Sequence, residues 1–412
     1  PLARRNTTFF HDVQVRLVDG RFLMLLSYWD AGWVILDVTD PSRPTFVGDT
    51  DFSASDPLTG YSPPEGNAHQ AWFDRRGRFF LGTEEDFEPF RPALAVDSGP
   101  GAGAYLAGEP AFTAPIADLA DGTLSGRVVF GGYGCAADRA SIPPPGTLGD
   151  PSPGVERILV LQRGPSGDPS APGAACGIDE KFESAQLAGY DAAIVANHHP
   201  GSQGGAEPDA YACGSSDVDL GLRGLCAGHR FLHAAFGSAP AYDVPVVPAG
   251  QPSSTEVVVG TVGESITATS SFDGWGQVRL FDAASRRELD AYAIPESLDR
   301  GHARGFGALT VHEVETDDWE DLAYLAYYNG GFRVLRFSTS GIEEVGHYIA
   351  PGGNDFWGLD PHRDPRDGSP IVLLSDRDSG LWVLRYTGPR QAIVPPETPL
   401  PGIGDLLSAL GG

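Results

Sequence analysis

Two histidines, His11 in "FFHDVQV" and His69 in "NAHQAW", open similar runs of alternating residues. As neutral imidazoles they could ligate a transition metal or hydrogen-bond a ligand. Aligning these runs with two later ones puts Phe306 and Phe356 at the same level, with His312 and His362 six residues further on. Two imidazoles at one level, His11 and His69, are the candidate metal ligands. The stretches "EGNAHQAW" and "GGNDFWGL" share Gly-Asn ahead of the run, and "HARGFGAL" adds a guanidinium. His11, Asn67, His69, Trp72, Arg304, Asn354, Asp355 and Trp357 therefore form a candidate polar and aromatic ligand pocket. Asp49, Asp51 and Asp56 in "GDTDFSASDPLTG" offer oxygen ligands for calcium, without the regular Asp-x-Asp-x-Asp-Gly loop and distal Glu. His198-His199 sit side by side at a strand end, where neighbours point to opposite faces, and read as exposed. No His-Glu-x-x-His or Gly-x-Ser-x-Gly occurs, and no catalytic residue is assigned.

The elements that must carry these side chains are short strands. In "AYYNGGFRVLRF" an Asn-Gly-Gly corner, able to take positive φ, separates two runs of aromatic and aliphatic residues, which reads as strand, turn, strand. The same shape recurs in "YWDAGWVILDV", "SFDGWGQVRLFD" and "DRDSGLWVLRY". Each corner has a partner strand upstream, and several have a short strand after, such as "PTFVG" or "EEVGHYI". Each unit is a four-stranded antiparallel sheet that cannot bury its faces alone, and four such units predict a β-propeller.

The segment "GWVILDVTDPSRPTFVG", residues 32–48, resembles the LVIVD repeat of bacterial and archaeal surface propellers, in which an aliphatic strand ends in Asp-Val-Ser/Thr-Asp-Pro with a later Pro. The likeness covers roughly residues 9–95 and 265–388; the second and third units keep only the strand and corner, and the fourth lacks Asp-Pro. Propellers similar to carotenoid oxygenases or selenium-binding proteins hold a metal on axial histidines, of which this chain offers two at one level. The resemblance implies fold more strongly than function.

About 185 residues of different character separate "RFFLGTEEDF" from "GQVRLFD", too long for a loop without its own fold. "GRVVFGGYGC", "ERILVLQRG", "CGIDEKFESAQLAGYDAAIVANHH" and "YDVPVVPAG" read as strand, strand, helix with strand, and strand. In the helix Phe182, Ala185 and Leu187 to Ala188 share a face, and Gly189 ends it. Arg163-Gly164, Cys176, Lys181, Ala188-Gly189 and Asn197, in that order, resemble the protease-associated (PA) domain. The departures are a Pro/Gly/Ala-rich loop at Pro165 to Ala175 and a Cys-bounded loop at Ala212 to Gly228. PA domains similar to this one are lids and docking surfaces, not catalysts. The expected organisation is propeller over 1–95, inserted α/β PA domain over 96–264, propeller over 265–390 and a Pro-rich tail over 391–412, possessing a mildly amphipathic end.

All four cysteines fall in the insertion. An even number in one module suggests two disulfides and an oxidising compartment; three connectivities exist, and the expected one joins Cys135 to Cys176 and Cys213 to Cys226. A net charge of −27, with Lys181 the single lysine, argues against a nucleic-acid partner. No eighteen-residue apolar run exists to span a membrane. The 54 Gly and 35 Pro suit a turn-rich β architecture. The start at Pro1 without a leader suggests processing, and four units suggest that upstream sheets or a second chain complete the ring. The expected function is a secreted or cell-surface binding or scaffold module for protein or glycan, with no cofactor assigned beyond the calcium and transition-metal candidates. The alternatives are a metal-dependent, oxidative enzyme in the propeller channel and an accessory subunit of a surface assembly.

Overall fold

The computed structural model describes residues 10–29, 31–55, 68–149, 152, 154–164, 176–197, 209, 211, 213–237 and 257–390. The chain is mainly β and divides into two compact units. The expected strand over "YDVPVVPAG", the tail from 391, Asn67, Asp56 and His198-His199 lie outside the described residues.

One unit comprises Phe10–Glu84, Gln277–Tyr292 and the residues from Val311 onward. It holds four antiparallel sheets, each ordered as its strands follow in the chain or in the reverse of that order. The first is Asp12–Val18, Arg21–Ser27, Trp33–Asp37 and Thr45–Asp49; the second is Ala68–Phe73, Phe79–Glu84, Val278–Asp282 and Glu288–Tyr292. The third is Glu313–Thr316, Leu322–Ala326, Phe332–Ser338 and Gly341–Tyr348, and the fourth, of three strands, is Phe356–Arg363, Pro370–Asp376 and Gly380–Arg385. The second sheet joins strands almost two hundred residues apart, because Phe79–Glu84 pairs with Val278–Asp282.

Alternating patterns give each sheet two faces, and apolar clusters weld neighbours. Leu23, Leu25, Trp33 and Ile35 of the first sheet pack with Ala71, Phe73, Phe80 and Phe281 of the second. Trp33 lies so close over the second sheet that a Cβ on Gly82 would meet its ring at 2.4 Å, so this position admits only glycine without a shift. Tyr324, Phe332 and Val334 of the third sheet likewise pack with Phe356, Val372 and Leu374 of the fourth.

Polar side chains on the first strand of each sheet, which touches the first strand of a neighbouring sheet and is called innermost for that reason, fix the register between sheets. Gln14 accepts from the backbone N–H of Phe73 at 2.8 Å, Gln70 from that of Val314 at 2.8 Å, and Glu313 from that of Leu359 at 3.1 Å. The recurrent corner does a related task. Trp29 and Tyr328 take left-handed conformations, φ 46° and 40°, and each exchanges two backbone hydrogen bonds with the start of the next sheet, at Ala68 and Phe356. The positive φ angles at the third corner thus fall on Tyr328 and Gly331, and not on Asn329 or Gly330 as the turn chemistry suggested. Two hydrogen bonds to another sheet outweigh the roughly 1–2 kcal/mol cost of a left-handed aromatic residue.

The other unit includes Glu85–Gly276 and Ala293–Thr310, where the sequence placed the boundaries at 96 and 264. Eight strands form one mixed sheet in the order Gly103–Tyr105, Phe90–Val96, Val262–Phe272, Thr123–Phe130, Ile158–Gln162, Ala192–Ala196, Arg223–Ala227, Ala107–Gly108. A bridge between Phe90 and Glu109 nearly closes it. The central strands from Thr123–Phe130 to Arg223–Ala227 are parallel and covered on both faces, which is why residues 128–130, 158–161, 192–196 and 224–227 are apolar. Helix Ile178–Leu187 packs Phe182 and Ala185 on Leu159, Leu161 and Val195; helix His229–Ala235 packs Phe231 and Leu232 on the opposite face, with Val128, Val160 and Ile194. Leu187, expected on the packed face, is exposed. The Cys-bounded stretch expected to be a loop contains strand Arg223–Ala227, which the glycines around "GLRGLCAGH" conceal from a periodicity reading.

The two disulfides are Cys135–Cys176 and Cys213–Cys226. Among the described residues no helix is long and apolar enough to cross a membrane.

Two stability outcomes follow from this packing. Gln70→Leu strands the buried Val314 N–H and lowers the urea-unfolding free energy by about 1–3 kcal/mol, whereas exposed Arg21→Leu leaves it within about 0.5 kcal/mol. Paired Cys→Ser replacement costs about 4 kcal/mol at Cys135–Cys176 and about 3 kcal/mol at Cys213–Cys226, following their closed spans of 41 and 13 residues, as read from the unfolding midpoints.

Candidate functional site

In the four-sheet unit, His11, His69 and His312 come from the starts of three successive innermost strands. His11 N–H donates to Ser27 O at 2.8 Å and His312 N–H to Ala326 O at 2.9 Å, so both hold the same place in their own sheets. The rings form a staircase: His11 and His69 have centroids 4.0 Å apart, His69 and His312 4.3 Å. His11 Nδ1 contacts the carbonyl of His69 at 3.1 Å, and His69 Nδ1 that of His312 at 3.0 Å. A carbonyl only accepts, so each Nδ1 carries the proton and Nε2 is the nitrogen with the lone pair. Thr83 Oγ1 donates to the same His312 carbonyl at 2.8 Å. Trp29, Tyr328 and Trp357 surround the staircase, with Trp357 4.8 Å from His312. Burial, then the neighbouring His312 and His11, drives His69 down to about 2; burial takes His312 down to about 4. Both imidazoles are neutral at pH 7.

The alignment that placed Phe306 at this level is corrected. Gly305 and Gly307, at φ 81° and 75°, break the run, Phe306 is exposed in the other unit, and the innermost strand begins at Glu313. His312 therefore stands where His11 and His69 stand. The signal was present: "HDV" at His11 and "HEV" at His312 share a histidine, an acid and a valine.

Acids lie along the same strands. Burial, followed by repulsion from Asp360, Glu313, Asp318 and Asp12, pushes Glu315 up to about 8. Glu313 is also raised, first by burial.

The other expected residues disperse. Trp72 is half-buried three positions beyond His69. Asn354 is buried and shapes the corner, accepting from Ala350 N–H at 3.0 Å and donating to Tyr328 O at 2.7 Å. Asp355 pairs with Arg377 at 3.4 Å. Asp49 ends a strand, Asp51 bridges to Arg287, and neither joins a group of three ligating side chains among the described residues. His362 is exposed and contacts Asp360.

Arg304 belongs to the eight-stranded unit, where its guanidinium donates to Asp219 and to Leu220 O. There it lines a cavity of about 310 Å³ with Phe87, Phe112, Ser215, Asp217 and Trp275. Three aromatic walls, a guanidinium, a hydroxyl and carboxylates suit a ligand with both apolar and hydrogen-bonding faces. Glu88, next to Phe87 in the chain, is pushed up to about 8 by burial and Asp86, and Glu109 to about 7 by burial.

The ordered motif residues of this unit meet at one end of the parallel strands. Lys181 Nζ donates to Tyr133 O at 2.6 Å and Gly164 O at 2.8 Å, beside the Cys135–Cys176 bridge. Arg163 Nη1 donates to Asn197 Oδ1 at 3.3 Å. Burial lowers Lys181 to about 7. The cluster ties three strands and a helix together.

No protein-family model matches the chain, and no curated protein is similar to it. A solved zinc aminopeptidase from Bacillus subtilis is similar over 49% of this chain and 35% of its own length, with 11% identity and a TM-score of 0.28. This chain thus spans about a third of that protein, and at such a score the likeness carries no argument about fold or function.

The raised Glu315 gives a signed pH outcome. The folded state holds its proton up to about 8 and the unfolded chain releases it near 4.5, so its contribution is present at low pH and lost as pH rises through about 8. Relative to Glu315→Gln, the unaltered chain loses on the order of 3 kcal/mol between about pH 5 and pH 8, measured by urea unfolding at both values.

Proposed function

We propose that this chain is a secreted or cell-surface β-propeller of LVIVD type with an inserted PA domain, and that it acts as a binding or scaffold module for protein or glycan. The observation that carries the binding role is the cavity of about 310 Å³ walled by Phe87, Phe112 and Trp275, with the Arg304 guanidinium at its edge. Aromatic walls stack on sugar rings or apolar side chains, and a guanidinium held by Asp219 offers directed donors to hydroxyl or carboxylate oxygens. The propeller reading draws on the four sheets of one unit, their shared corner and the repeated polar contacts between innermost strands. The PA reading draws on the convergence of Arg163, Gly164, Cys176, Lys181 and Asn197. The two disulfides suit an oxidising, extracellular location.

The test is binding of the purified chain to arrayed glycans and to peptides from surface proteins of the producing cells. Saturable binding that weakens about tenfold or more on Arg304→Ala, with His362→Gln unaffected, is the expected result. Binding indifferent to Arg304→Ala and to Trp275→Ala moves the site away from this cavity, and no binding to either class refutes the module.

A further inference from the structure

We propose that His69 and His312 bind one divalent transition-metal ion of the Zn²⁺ or Cu²⁺ class. The inference is independent of the binding-module reading, since it concerns the four-sheet unit alone. The ligating nitrogens of His69 and His312 lie within 4.8 Å of each other. Two nitrogens on one ion, at bonds of about 2.0–2.1 Å, stand roughly 3.3–4.2 Å apart, so a small ring rotation brings both onto a metal.

The surroundings are those of a ligating histidine and not only of a packed ring. His69 donates its Nδ1–H to a backbone carbonyl, the outer-shell contact that fixes the tautomer and aims Nε2 at an ion. His11 makes the same contact one step along the staircase, and a carboxylate oxygen of Glu313 lies 3.8 Å from His312 Nδ1. His69 and His312 are 3% and 4% exposed, so an ion held between them is shielded from bulk water. His11 is exposed and stacked on His69, which gives an ion a route inward. Imidazole nitrogen selects zinc, copper, nickel or iron over calcium and magnesium, which prefer oxygen.

The full chain, stripped with EDTA, is dialysed against Zn²⁺ or Cu²⁺ alone, separated from free metal and assayed for bound ion. One ion per chain is expected, with affinity falling at least about tenfold in His69→Gln and in His312→Gln and unchanged in His362→Gln. If either variant fails to fold by circular dichroism, electron paramagnetic resonance of Cu²⁺ on the unaltered chain decides the matter. Nitrogen hyperfine structure from imidazoles supports the site; a signal with oxygen ligation only overturns it. Failure to retain either metal, or retention undiminished in both folded variants, overturns it equally.

Discussion

The four-sheet unit rests on side-chain acceptors that leave one innermost strand and satisfy a backbone donor on the next. Apolar faces attract without direction, so they hold neighbouring sheets together but do not fix how far one slides along the other. Gln14, Gln70 and Glu313 supply that direction, since a buried N–H without an acceptor costs more than the hydrogen bond gains. The left-handed corners at Trp29 and Tyr328 add a second clamp near the strand starts. Together they bring the first residues of successive innermost strands to one level, and that is the level at which His11, His69 and His312 stack.

The same constraint accounts for the electrostatics. Innermost strands packed side by side leave little water around their polar side chains, so imidazoles shed protons and carboxyls retain them. His69 and Glu315 move in opposite directions on the pH scale first for this reason, burial disfavouring the charged form of each, and like-charged neighbours add to it. The eight-stranded unit uses its buried charge differently. Lys181 is surrounded by carbonyl oxygens, a tyrosine ring and a disulfide, and serves as a cross-brace where parallel strands end.

Much of the framework was legible in the residues. Three of the four Asp/Asn-Gly corners marked strand pairs, whereas the strands on either side of Asp273 join different sheets; the aliphatic runs of the insertion marked strands, and the four cysteines paired as expected within it. The site was less legible. The alignment that put Phe306 at the strand start displaced His312 by six residues, because glycines at positive φ turned a strand-like run into a loop. Arg304 was grouped with the histidines on nearness in sequence, although its segment folds into the other unit and faces a cavity no local pattern announces. Strand Arg223–Ala227 was hidden by its glycines, which packing tolerates where Phe182 and Thr113 crowd Gly224.

By itself the sequence determined most strands of the four-sheet unit and the helix at Ile178–Leu187, that one block carries its own core, and that its thiols lie where two bridges can form. These are local matters, governed by side-chain period, turn chemistry and composition. Tertiary structure alone decided which polar groups meet: the three histidines, the acids behind Glu315, the cation over the aromatic cavity. Such meetings depend on register between sheets, set by a few long-range hydrogen bonds whose partners lie 46 to 244 residues apart, a separation at which periodicity holds no information.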